Sequence, residues 1–198
     1  MLISGNETFT AADLVELSEL VARTWMSTAD ADWSVPAGTL EWSCLATADH
    51  AVDCVYAPAF FLASRNTTTY PVAGSDLTLG DAATPELLVQ SLEIATRMVT
   101  AVVATAEPHA RAAIFLGPTL QVGAPADFLP RAASELILHA HDVCLGLGVP
   151  FEPPAGLCRR LREHTRPWPM WARDWNGLPE TDDPWGDLLT CSGRTRQP

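Results

Sequence analysis

The sequence predicts an all-α fold: a four-helix bundle followed by a short C-terminal helical or coil tail. Three observations predict it. Apolar residues recur at three- and four-residue spacing over four long stretches, capping residues and prolines mark the ends of those stretches, and Gly, Pro, Thr and Asp gather between them. A chain of 198 residues suits one domain with a substantial core. Residues 1–158 are expected to form the bundle, and 159–198 a tail packed on it.

Thr10 stands before the first expected helix, residues 11–29, in which Leu14, Leu17, Val21 and Trp25 share one face. Pro36 and Gly38 break that pattern, and a second helix is expected from about residue 40 to 63, with Pro58 as a kink site. Residues 66–83 read as a loop with a short extended piece at 69–72. Pro85 suits the first turn of a third helix reaching Ala106, whose apolar face carries Leu88, Ile94, Met98 and Val102. The apolar segment 112–123 ends in Gly and Pro signals, which leaves a buried turn and a short strand both open. A fourth helix is expected from about Asp127, with Pro130 in its first turn, until Gly146 and Gly148 stop it. A short Arg-rich helix, a Pro- and Trp-rich coil over 167–175 and a last turn at 187–190 complete the tail. Trp25, Trp33 and Trp42 are expected to pack the bundle, and Trp168, Trp171, Trp175 and Trp185 to pin the tail.

A formal charge of −12 argues against nucleic acid, since a phosphate-binding surface needs clustered basic residues. The charge is uneven. Residues 1–158 carry 5 Arg against 18 acidic residues, and 159–198 carry 7 Arg against 6, which reads as a salt-bridged surface ahead of an anion-contacting lid. Neither a secretory signal nor an apolar run of membrane-spanning length is visible, so the expectation is a cytoplasmic protein without a membrane partner. Five cysteines without Cys-x-x-Cys spacing read as free thiols in a reducing compartment. Apolar helix faces would allow a homodimer.

Chemistry concentrates in two places. Glu135 and His139 lie four residues apart on the fourth helix, so their side chains overlie one another and can grip one ion. Arg131, Leu138 and Asp142 share that stripe, an unusually polar face for a helix packed into a core. His50 sits on the second helix beside Ala46, Thr47, Cys54, Ala57 and Phe61, a face of mainly small side chains that leaves room for a pocket. If these helices are neighbours, His50, Glu135 and His139 converge as three ligands with open positions, the pattern of a catalytic metal site, and zinc is the first expectation. Asp142 is expected to orient a ligand imidazole. The competing reading is a buried histidine satisfied by a backbone carbonyl. His141 points about 200° away from His139 by helical geometry, and His109 and His164 fall in loop or tail contexts. Asp49 and Asp53 flank His50 and are expected to face solvent. There is no Gly-rich phosphate loop, Gly-x-Ser-x-Gly elbow or His-Glu-x-x-His.

Three stretches carry a family resemblance. Trp33 to His50 includes the Pro-containing turn and the histidine; Glu135-Leu-Ile-Leu-His139-Ala-His-Asp142 is followed by Gly148-Val-Pro150; and Asp183-Pro-Trp-Gly-Asp-Leu-Leu-Thr-Cys-Ser-Gly-Arg194 lies near the C-terminus. In these the chain resembles the DinB-like metal-dependent superfamily, in the actinobacterial branch typified by mycothiol-dependent maleylpyruvate isomerase. The resemblance implies a four-helix bundle whose metal triad maps onto His50, Glu135 and His139. It also implies that the ion activates a low-molecular-weight thiol, usually mycothiol.

The function expected from residues and resemblance together is a metal-dependent thiol S-transferase or thiol-assisted isomerase acting on a small electrophilic substrate. Arg131 or Arg97 would hold an anionic substrate group. Three alternatives keep the same residues: a hydrolase using metal-bound water, an iron site of the facial-triad type, and a non-catalytic helical module that its metal stabilises.

Overall fold

The computed structural model describes residues 8–71, 76–116, 119–168 and 180–196. It is mostly helical, and every described α-helix but α5 (Ala155–Thr165) begins where a side chain satisfies a free backbone N–H. Thr10 and Asp13 cap each other reciprocally at the start of α1 (Ala11–Met26): the Asp13 N–H donates to the Thr10 hydroxyl and the Thr10 N–H to the Asp13 carboxylate. The helix stops three residues short of expectation because the Thr28 hydroxyl and the Ala31 N–H close a tight turn on Trp25 O and Thr28 O.

The turn that follows determines where the second helix begins. Ala37 N–H donates to Trp42 O at 2.9 Å, Cys44 N–H to Val35 O at 2.8 Å and Leu40 N–H to Ala37 O at 3.0 Å. These bonds occupy residues expected to be helical, so α2 runs from Cys44 to Ser64 with Ser43 as its cap. Thr84 caps α3 (Pro85–Thr105). The undecided apolar segment forms two short antiparallel strands, β1 (Ala112–Ile114) and β2 (Gln121–Gly123), with Ala113 opposite Val122.

Helix α4 (Pro125–Gly146) begins two residues earlier than expected, because Pro125 takes the first helical position and the Asp127 carboxylate accepts the Ala124 N–H at 2.8 Å. Pro130 therefore lies inside the helix rather than in its first turn. After α4 come α5 (Ala155–Thr165), which runs across the expected 158/159 boundary, and α6 (Pro184–Cys191); Asp183 accepts the Gly186 N–H and starts α6 ahead of the expected 187–190 turn.

Helices α1 to α4 pack against one another, α2 lying between α3 and α4 and α1 touching both α3 and α4. Their core holds Leu14, Trp25, Leu92, Phe128, Leu136 and Ile137, all fully buried, and each such side chain contributes roughly 1.5–3 kcal/mol. Helix α3, 21 residues long with a mean hydropathy of 1.5 over its most apolar stretch, meets the length and composition of a membrane span, contrary to the expectation from sequence. One face of it, Leu88, Leu92, Ala95 and Val99, is buried.

Trp25 and Trp33 meet edge to face in the core, as expected, but Trp42 does not pack there and is 53% exposed. Trp168 and Trp185 are buried; Trp171 and Trp175 lie outside the described residues, as does most of the expected coil. The tail arginines pair with the protein itself: Arg160 with Asp13 of α1, Arg162 with Asp187 of α6, and Arg194 with Asp142 of α4.

Helices α2 and α4 run antiparallel. The Cys44 thiol donates to Val143 O at 3.6 Å at one end of the seam, and His50 faces His139 further along it. The turn before α2 seats directly on the last turn of α4. A Cβ on Gly146 would lie 2.3 Å from Pro36 O and 2.6 Å from Cys44 Sγ, so only glycine permits that approach.

Candidate metal centre

Two pairs of side chains, each one helical turn apart, meet across the α2–α4 seam. His50 and Cys54 come from α2, with the Cys54 Sγ 3.4 Å from His50 Nε2. Glu135 and His139 come from α4, with His139 Nε2 3.3 Å from Glu135 Oε2. The imidazole centroids of His50 and His139 are 5.1 Å apart. His50, Cys54 and Glu135 each offer a donor atom within 4.8 Å of the others; His139 is not one of that group and stands next to it, against Glu135 and His50.

Of the three expected ligands, His50 and Glu135 fall within the close donor group and His139 lies beside it, while Cys54, which sequence reasoning counted only as a small neighbour, falls inside. The missed signal was its spacing: His50 and Cys54 repeat the four-residue interval of Glu135 and His139.

The electrostatics keep two of the four donors, Glu135 and His50, ready to ligate. Burial alone would raise the Glu135 carboxyl, but the Arg131 guanidinium and the His139 ring outweigh it and hold the group far below the usual carboxylate range. Burial and the His139 ring push His50 down, which favours its neutral, ligating form. His139 goes the other way: burial disfavours its charge, but the Asp142 and Glu135 carboxylates raise it. Burial pushes the Cys54 thiol well above its ordinary value, so it keeps its proton when nothing binds it.

The residues fit a borderline-soft divalent ion. Two imidazoles, a carboxylate and a thiol are the donor set zinc prefers. His139 Nδ1 is buried without a hydrogen bond and lies 3.5 Å from Asp142 Oδ2, an ion-pair distance that a well-formed hydrogen bond would shorten. An ion on Nε2 would fix the proton on Nδ1, facing that carboxylate. Asp142 occupies the expected orienting place and is itself gripped by Arg194.

The other named residues divide clearly. Arg131 lines the site with its guanidinium bonded to Glu135, and its Nε is buried without a partner. Arg97 pairs with Glu93 on an exposed face of α3 and does not line the site. Asp49 and Asp53 do not face solvent as expected: the Asp49 carboxylate accepts the Leu79 and Gly80 N–H groups and Asp53 accepts that of Leu77 at 2.7 Å, strapping residues 77–80 across α2. His141 bonds Thr195 O at 3.0 Å, His164 bonds Asp127 at 3.1 Å, and His109 is exposed.

A cavity of about 420 Å³ opens beside these donors. Its polar end is formed by His50, Cys54, Arg131 and Glu135, and its apolar end by Phe61, Tyr70 and Phe115. Tyr70 and Phe115 stack with ring centroids 3.8 Å apart. On its other side His50 borders a shallower recess, where the exposed Trp42 ring stands edge-on to the imidazole at 5.4 Å. No protein-family model, curated protein or solved structure matches the chain.

Proposed function

We propose that this chain is a DinB-like four-helix-bundle enzyme of the cytoplasm, whose divalent ion, zinc by its donor set, is held through His50, Glu135 and His139. It uses a low-molecular-weight thiol, mycothiol in the branch it resembles, to transfer sulfur to a small electrophilic substrate or to isomerise it. The observation that carries this reading is the convergence of two helix-borne donor pairs at the polar end of a cavity whose other end is aromatic. The thiol itself rests on the family resemblance.

When bound, the ion supplies a thiol in its deprotonated form at neutral pH. The rest falls to the protein. Arg131 holds Glu135 Oε1 and leaves Oε2 toward His139, so the carboxylate presents one oxygen in a fixed direction. Asp142 sets the tautomer of His139. Phe61, Tyr70 and Phe115 form a wall that excludes water and accepts the apolar body of a substrate.

The test compares the wild type with a His50→Ala, His139→Ala double variant by elemental analysis and by calorimetric titration with mycothiol. About one zinc or similar ion per wild-type chain, lost in the variant together with thiol binding, supports the proposal. Equal metal content in both would overturn the site. Metal without thiol binding would turn the reading to hydrolysis, or, if metal removal only unfolds the chain, to a stabilising ion.

A further inference from the structure

We infer that Cys54 is itself a ligand of this ion, so that the centre consists of two facing clamps, His50 with Cys54 on α2 and Glu135 with His139 on α4. The inference rests on the proposed metal site and changes its coordination from three protein donors to four.

The donor spacing matches that of a shared ion. Zinc takes sulfur at about 2.3 Å and imidazole nitrogen at about 2.0–2.1 Å, which on a tetrahedral ion places the two donors about 3.5 Å apart. Cys54 Sγ and His50 Nε2 are 3.4 Å apart. A nitrogen and a carboxylate oxygen on the same ion come out at about 3.4 Å, and His139 Nε2 and Glu135 Oε2 are 3.3 Å apart. Both pairs therefore already stand at the separation that a shared ion imposes.

Cys54 also differs from other cysteines of the chain. The thiols of Cys44, Cys158 and Cys191 are turned onto backbone carbonyls, of Val143, Pro153 and Leu188, as inert buried thiols are. Cys54 is turned instead onto the imidazole nitrogen of a candidate ligand, at the cavity wall.

Charge points the same way. A coordinating thiol loses its proton to solvent, and a Cys54 thiolate with the Glu135 carboxylate would carry two negative charges against a divalent ion, leaving the two imidazoles neutral. The ion and its four ligands would then sum to zero charge, with the Arg131 guanidinium beside them on Glu135, which lowers the cost of holding an ion out of water. A four-donor set is also closed in the tetrahedral sense, so an incoming thiol would compete with Cys54 for the ion.

Cobalt(II) tests this without reference to turnover. The full chain, stripped by a chelator and reloaded with cobalt, is compared with Cys54→Ser, after circular dichroism has shown that the variant folds. The expected wild-type spectrum has a near-ultraviolet sulfur-to-cobalt charge-transfer band and one cobalt per chain. Cys54→Ser should keep its cobalt at least about tenfold more weakly, lose that band, and discriminate less between cadmium and manganese. Stoichiometric wild-type cobalt without the sulfur band would overturn the inference while leaving the metal site standing. So would a variant with unchanged spectrum and affinity. Failure of the wild type to bind either zinc or cobalt would remove the metal site and the inference with it. Should the serine variant not fold, the wild-type spectrum alone decides.

Discussion

Arg194 grips Asp142 through two hydrogen bonds, Nε to Oδ1 at 2.8 Å and Nη2 to Oδ2 at 2.7 Å, across 52 residues of sequence. Asp142 in turn faces His139, so a residue of the tail steadies a candidate ligand from behind. Arg194→Ala should weaken zinc binding by about 10-fold or more, the usual effect of losing a group that orients a ligand. Lysine should restore little of it, because it cannot make the paired contact. Competition with a chromophoric chelator measures this, and unchanged affinity would uncouple the tail from the site.

Among the described glycines, Gly146 is the one least tolerant of a side chain. A Cβ there would meet a backbone oxygen and a buried sulfur, neither free to move, so Gly146→Ala should cost about 1–3 kcal/mol or more. Gly148 is the control: its φ of +69° strains any other residue, but open space surrounds it, so alanine should cost about 1 kcal/mol. Urea unfolding of the two variants should place Gly146→Ala clearly below Gly148→Ala; the reverse order would show that the turn does not seat on α4 as described.

The strap over α2 depends on two carboxylates. Asp49→Ala removes the acceptor for two backbone N–H groups and should cost about 1–3 kcal/mol. Limited proteolysis should cut between residues 76 and 83 faster in the variant than in the wild type. Equal cutting rates would show that the strap is held by other contacts.

Acid should weaken the junction of α4 and α5. Asp127 accepts from Ala124 N–H and pairs with His164. Burial alone would raise its carboxyl, but the His164 hydrogen bond and the Ala124 N–H hold it below the ordinary range. The folded chain therefore takes up this proton less readily than the unfolded one. Its stabilisation is complete above the ordinary Asp value of about 3.9 and is lost as pH falls through the depressed folded value. The stability gap between wild type and Asp127→Asn, from urea unfolding at a series of pH values, should hold steady above about pH 5 and narrow below pH 4. A gap independent of pH would remove this carboxylate from acid unfolding.

The helices and the pairing of Glu135 with His139 were legible because both follow from local periodicity. Leu14, Leu17, Val21 and Trp25 mark α1 without knowledge of any neighbour, and four-residue spacing on α4 overlays two donors whatever lies opposite. What was not legible depends on distant partners. Asp49 and Asp53 look like surface carboxylates until residues 77–80 arrive to donate to them, and Trp42 looks like a core residue until Ala37 bonds to its carbonyl and holds it in the turn. Cys54 was overlooked because a thiol is read by size on a small-residue face, and only the antiparallel seam brings it toward Glu135. The start of α4 was misplaced for a local reason, a carboxylate reaching back three residues to cap Ala124.

That seam makes the donor group a vernier for the two helices. Sliding one helix by a single residue moves its side chains about 1.5 Å along the axis and about 100° around it, enough to carry His50 and Cys54 out of reach of Glu135 and His139. The clash that any side chain at Gly146 would meet fixes the same alignment from the far end of α4. An ion held between the clamps would act as a rivet through both helices, and its grip would report on packing errors well away from the atoms it touches.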